Sequence, residues 1–179
     1  MTRSIALLCA VAAMLTAPPL EAKRVKEKDL RDMVGVSEGG AARTAEIAAM
    51  SPADIQEALT DAISDKTKII YQPGHGVYVE YSAPDGHVLM WYPRNTGVVH
   101  GEWGIRQFGG EQRICFKYFA AYHGVTGEFE PTECVAPQQT LLAENVIALR
   151  AGDAFGLASG KIPYAKHPLD LPEWPSGAD

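Results

Sequence analysis

Between Ser51 and Asp65 apolar residues recur at steps of four, Ile55, Leu59 and Ile63, with Ala58 and Ala62 beside them. That is the period of a helix carrying one narrow apolar stripe, packed against a sheet. Ser51 is placed to cap its free amide groups, Pro52 suits its first turn, and Asp54 complements the positive end of its dipole. From Lys68 the period drops to two, the signature of strands. Lys68 to Gln72 is a short strand and Gly76 to Ser82 a longer one, with Val77, Val79 and Tyr81 on one face and Tyr78, Glu80 and Ser82 on the other. Pro84-Asp85-Gly86 supplies a hairpin turn, since Gly accepts the positive φ such turns demand. His87 to Tyr92 returns, Pro93 to Gly97 turns again, and Val98 to Phe108 is the next strand. After Gly109-Gly110, Arg113 to Phe119 sets Ile114, Phe116 and Tyr118 on one side and Arg113, Cys115 and Lys117 on the other. The Gly- and Glu-rich stretch Tyr122 to Pro131 reads as an irregular excursion. Two more strands are expected, Cys134 to Leu142, an edge because Pro137 interrupts it, and Asn145 to Ala151.

Outside this region the pattern changes character. Arg3 precedes an uncharged apolar run of 11 residues, Ile5 to Leu15, followed by Thr16, Ala17, Pro18 and Pro19 and ending in Leu20-Glu21-Ala22. This reads as a secretory signal peptide cleaved between Ala22 and Lys23. The run is well short of the roughly 20 residues that span a bilayer, and no second such stretch follows, so no transmembrane segment is expected in the mature chain. The organisation that results is a signal peptide over 1–22, a flexible basic tail or frayed helix over 23–44, a helix plus antiparallel β domain over 45–151, and an irregular C-terminal tail over 152–179.

Charge and composition narrow the function. The 16 Lys and Arg against 22 Asp and Glu leave a net charge of -6, which speaks against a general grip on nucleic acid. No Gly-rich phosphate loop precedes a helix, and neither a Gly-x-Ser-x-Gly elbow nor a Cys-x-x-Cys pair occurs, so no cofactor is implied. Cys9 leaves with the signal peptide. Cys115 and Cys134 remain as an even pair in a chain bound for an oxidising compartment and are expected to form one disulfide, worth roughly 3 kcal/mol. Twelve of the 15 aromatic residues fall between Tyr71 and Phe129, which places the core there. Within that set Trp91, Tyr92 and Trp103, with Arg94, are candidates to line a groove for a sugar ring or a peptide. The competing reading makes Trp91 and Trp103 core residues of adjacent strands. His75, His87, His100 and His123 each stand next to a turn, and Glu102 follows His100 by two. A metal or acid–base site built from His75, His100 and Glu102 is therefore the alternative chemistry.

In order along the chain stand the helix Ser-Pro-Ala-Asp-Ile-Gln-Glu-Ala-Leu from Ser51, the Gly76 strand ending in Pro84-Asp85-Gly86, Gly101-Glu102-Trp103-Gly104-Ile105, and Arg113 to Tyr118 with a distant second Cys. Over roughly residues 45 to 135 this order resembles small exported bacterial proteins grouped as domains of unknown function. The resemblance implies a small antiparallel sheet or partial barrel with a structural disulfide, and it assigns no catalytic residue. The sequence thus predicts an α+β, mainly β fold: an antiparallel meander sheet or partial barrel with one N-terminal helix packed on it. The expected role is that of a non-enzymatic periplasmic or secreted module for an envelope glycan, a small molecule or a periplasmic protein.

Overall fold

A computed structural model describes residues 22–34 and 40–176. The segment expected as the signal peptide lies outside the described residues except for Ala22. The chain builds a seven-stranded antiparallel sheet, curled into a half-barrel, from β2 (Lys66–Gln72), β3 (Gly76–Ser82), β4 (His87–Trp91), β5 (Val99–Phe108), β6 (Glu111–Phe119), β7 (Thr132–Val135) and β8 (Val146–Ala151). The order across it is β7-β6-β5-β4-β3-β2-β8. Five consecutive hairpins make the meander the alternation predicts. The last step instead carries the chain from one edge to the other.

That step explains the curl. Laid flat at strand spacing, β7 and β8 would stand about 29 Å apart. The connection between them is a five-residue helix, α4 (Pro137–Leu141), followed by turns, neither of which is extended. Only a sheet rolled toward closure brings its edges within reach of it. The expected strand Cys134 to Leu142 is therefore corrected. Pro137 does not weaken an edge strand; it starts α4, where its missing N–H costs nothing.

The predicted helix is present as α3 (Pro52–Ile63), and Ser51 and Asp54 form a reciprocal capping box. Leu59 and Ile63 are buried, and Ile63 packs with Val88, Met90, Ile114, Phe116 and Tyr118 on one sheet face, here the Tyr118 face. The opposite, Trp91 face buries Ile69, Tyr71, Val77, Val79, Tyr81, Leu89 and Trp91. Strands buried on both sides need a cover for each side, and this second cover is where the sequence reading falls short.

The cover comes from the two stretches expected as tails. In the basic stretch, β1 (Ala22–Arg24) and α1 (Glu27–Met33) are ordered elements, and Leu30 is wholly buried against the Trp91 face. A second helix, α2 (Gly40–Ala48), spans the expected 44/45 boundary. At the other end, residues 152–176 lie along the sheet, burying Phe155 and Leu157 in the same core. Their strand β9 (Asp170–Pro172) pairs antiparallel with β1, and Arg24 closes an ion pair to Asp170 at 2.5 Å. Gly76 marks the closest approach: a Cβ there would strike Pro168, whose carbonyl accepts from the Val77 amide at 2.7 Å. Cleavage after Ala22 would remove one residue of the β1 ladder and leave Lys23 and Arg24 paired.

Cys115 and Cys134 are bonded and directly opposite each other in the β6–β7 ladder. The bond fastens the four-residue edge strand β7, which has a neighbour on one side only. No helix among the described residues is long and apolar enough to cross a membrane.

Candidate ligand-binding cleft

In a meander, successive turns alternate between the two ends of the sheet. The β2–β3 turn, the β4–β5 connection and the β6–β7 loop therefore gather at one end. Together they wall a cleft of about 730 Å³ on the Tyr118 side. Tyr78, Met90, Val99 and Tyr118 supply its sheet-facing wall, because the alternation of each strand turns these positions to the same face.

Two histidines meet at the mouth. His75, from the β2–β3 turn, has its Nδ1 2.7 Å from the Tyr92 hydroxyl, and its ring stands edge-on to His123 at 4.8 Å between centroids. His123, from the β6–β7 loop, is fully committed. Its Nδ1 accepts from the Val125 and Thr126 amides at 3.3 and 3.0 Å, so its proton sits on Nε2 and is donated to Glu133 at 2.8 Å. That tautomer leaves no lone pair for a metal or for a substrate proton, so His123 organises the loop. Gly124 then lies so close to the Tyr92 hydroxyl that a Cβ there would collide with it. The excursion expected from the Gly- and Glu-rich composition is thus a shaped wall.

Burial dominates the electrostatics. It pushes the His75 imidazole below its ordinary value, helped by neighbouring His123 and opposed by the Glu133 charge. The Tyr92 phenol is pushed up by burial and by Glu133, with Arg94 pulling it back. Beneath the cleft, Tyr78 and Tyr118 are raised well above the usual phenol range by burial first and then by the Glu80 charge. Tyr118 donates to Glu80 at 2.8 Å, and Glu80 pairs with buried Lys68 at 3.4 Å. Several polar groups of the wall satisfy one another, His75 with Tyr92, Tyr78 with Gln72 and His123 with Glu133.

The predicted groove residues divide. Tyr92 and Arg94 line the cleft. Trp91, one position earlier on the strand, points to the other face, is completely buried, and donates its indole N–H to the Tyr164 carbonyl at 2.9 Å. It is a core residue, as the competing reading had it. Trp103 flanks the cluster around Phe116 and borders a separate depression, with its indole N–H on the Ala83 carbonyl at 2.8 Å. The four do not converge.

The alternative metal set does not assemble either. His100 reaches the cleft rim with His75, while Glu102 borders the depression beside Trp103, Arg106 and Lys117. Among the described residues no group of three or more His, Cys, Asp or Glu side chains is placed to share a metal ion. Tyr78, Tyr118 and Glu133 were not singled out, although the alternation that puts Tyr118 beside Phe116 could have paired it with Glu80.

No family model, curated protein or solved structure matches the chain. The resemblance to exported domains of unknown function stands on its motifs alone, and the reading of the cleft rests on its geometry.

Proposed function

We propose that this protein is an exported, non-enzymatic binding module of the cell envelope that takes a small molecule into the cleft at the His75–His123 end of its sheet. The observation that carries this reading is the cleft itself, whose volume of about 730 Å³ falls in the range of small-molecule sites. Its walls come from three connections fastened to a rigid sheet, which preorganises them. Export is supported by the N-terminal apolar run and by the Cys115–Cys134 bond, since disulfides persist in oxidising compartments. Against a catalytic role stands the state of its polar groups: His123 has both ring nitrogens engaged, and Tyr118 is tied to Glu80.

One experiment tests both halves. The full chain is expressed with its own leader in a Gram-negative host and recovered from the periplasm, where its intact mass should start at Lys23 and lack two hydrogens. That material should bind the neutral dye N-phenyl-1-naphthylamine saturably at one site, and Ala121→Trp, which sets an indole into the cleft wall, should weaken binding about tenfold or more while leaving the far-ultraviolet circular dichroism unchanged. Retention in the cytoplasm would refute export. Undiminished dye binding by Ala121→Trp would refute the cleft.

A further inference from the structure

Arg94 is an anomaly in the cleft. Its backbone sits at φ +67°, in the left-handed region that a residue with a Cβ rarely occupies. That conformation costs on the order of 1 kcal/mol and persists only where surroundings enforce it. Here the Arg94 amide donates to the Lys166 carbonyl at 2.9 Å, so the turn is held down by the C-terminal segment. Arg94 is exposed at the mouth of the cleft that it helps to line, and its charge pulls the Tyr92 phenol back toward its ordinary value.

Arg94 pairs with no carboxylate among the described residues, in a chain with a net charge of -6 where acidic partners are plentiful. The one carboxylate of the cleft wall, Glu133, already accepts from His123. Close by, His75 has no partner at Nε2 among the described residues. Met90, Val98, Val99, Phe119 and Ala121 give the wall an apolar stretch, interrupted by polar Asn95, Thr96 and His100 at the rim.

We infer that the ligand is an apolar molecule ending in an anionic oxyacid group, such as a carboxylate, with the anion held by Arg94 and the apolar body lying over Met90 and Val99. This rests on the cleft reading above and goes further by assigning the ligand's charge. An arginine presents a planar fork of N–H donors matched to two oxygens of such a group. A neutral ligand would make no use of the guanidinium at the mouth. A cationic one would meet it as a like charge.

The test compares two dyes that share one frame. 1-Anilinonaphthalene-8-sulfonate carries a single anion, and N-phenyl-1-naphthylamine carries none. Arg94→Asn keeps a residue that tolerates positive φ while removing the charge. It should weaken the sulfonate roughly tenfold or more and leave the neutral dye within about twofold. Arg94→Lys should recover part of the loss, and raising salt should weaken only the sulfonate, and only in the proteins that keep the cation. If Arg94→Asn binds both dyes as the wild type does, or loses both equally, the anion assignment falls while the cleft stands. If neither dye binds the wild type saturably, both fall.

Discussion

Two lysines are buried on opposite faces of the same sheet, and they are treated differently. Lys68, on the Tyr118 face, has Glu80 at 3.4 Å, and Glu80 also accepts from Tyr118. Lys166, brought over the Trp91 face by the C-terminal segment, is 1% exposed, and its Nζ has no hydrogen-bond partner among the described residues. It lies 5.9 Å from the Trp91 ring centroid. Burial pushes both amines below the ordinary lysine value, Lys166 to about 7 with only the Asp170 charge opposing, and Lys68 against both the charge and the hydrogen bond of Glu80. The Asp170 carboxylate is already occupied by Arg24 and the His167 amide. One face gives its buried amine a carboxylate partner, and the other leaves its buried amine without a hydrogen-bond partner among the described residues.

The sharpest way to break this contrast is to remove the Lys68 counter-charge. Glu80→Gln should cost about 3 kcal/mol in urea unfolding at pH 7, because the buried Lys68 amine loses its carboxylate partner and the Tyr118 hydroxyl loses a charged acceptor. The double variant Lys68→Met/Glu80→Leu should recover most of that loss, since both charges are then gone. A Glu80→Gln protein as stable as the wild type would mean that the pair contributes nothing to holding Lys68 inside.

The opposite change on the other face should stabilise. Lys166→Met removes an unpaired buried amine and keeps its length, and it should raise stability at pH 7 by about 2 kcal/mol. The pH profile gives a second reading. An unfolded lysine holds its proton up to its ordinary value of 10.5, and folded Lys166 releases it near 7. Between these values the unfolded chain binds more protons, so stability rises with pH. Below about 7 both states are protonated and the penalty is complete. Wild-type protein should therefore gain stability from pH 7 toward 9.5, and Lys166→Met should lack that part of the gain. A destabilised Lys166→Met would show instead that the amine makes a favourable contact.

This contrast also marks where the sequence could be read. Alternation along Gly76 to Ser82 places Val77, Val79 and Tyr81 opposite Tyr78 and Glu80, and the structure keeps that division. The capping of α3 by Ser51 and Asp54 is equally local, and so is the hairpin at Asp85-Gly86. What could not be read is contact at a distance. Leu30 and Leu157 lie in stretches with no period of their own, and only the finished sheet shows that its Trp91 face must be covered. Of the candidate site, Tyr92 and Arg94 were legible as a polar and aromatic pair beside a turn. Their neighbours His75 and His123 come from turns 48 residues apart in number, and no spacing rule connects them. For Trp91 the sequence left a ligand contact and a core position both open, because a single strand position decides which face it takes.

The smallest expected effects test the contrast hydroxyl by hydroxyl. Each face also buries a tyrosine hydroxyl, that of Tyr118 on one and that of Tyr164 on the other. The Tyr118 hydroxyl donates to the Glu80 carboxylate at 2.8 Å, while the Tyr164 hydroxyl is buried without a partner among the described residues. Hydrogen bonds to charged groups contribute about 1.5–3 kcal/mol, and an unpartnered buried hydroxyl contributes only its desolvation cost. Tyr118→Phe should therefore lower stability by about 1.5 kcal/mol, whereas Tyr164→Phe should be neutral or raise it by a few tenths, both read as urea midpoints at constant slope. Equal losses in the two variants would place a hidden partner beside Tyr164, and with it a polar neighbourhood for Lys166. The Trp91 face would then hold its lysine by the same means as the Tyr118 face does.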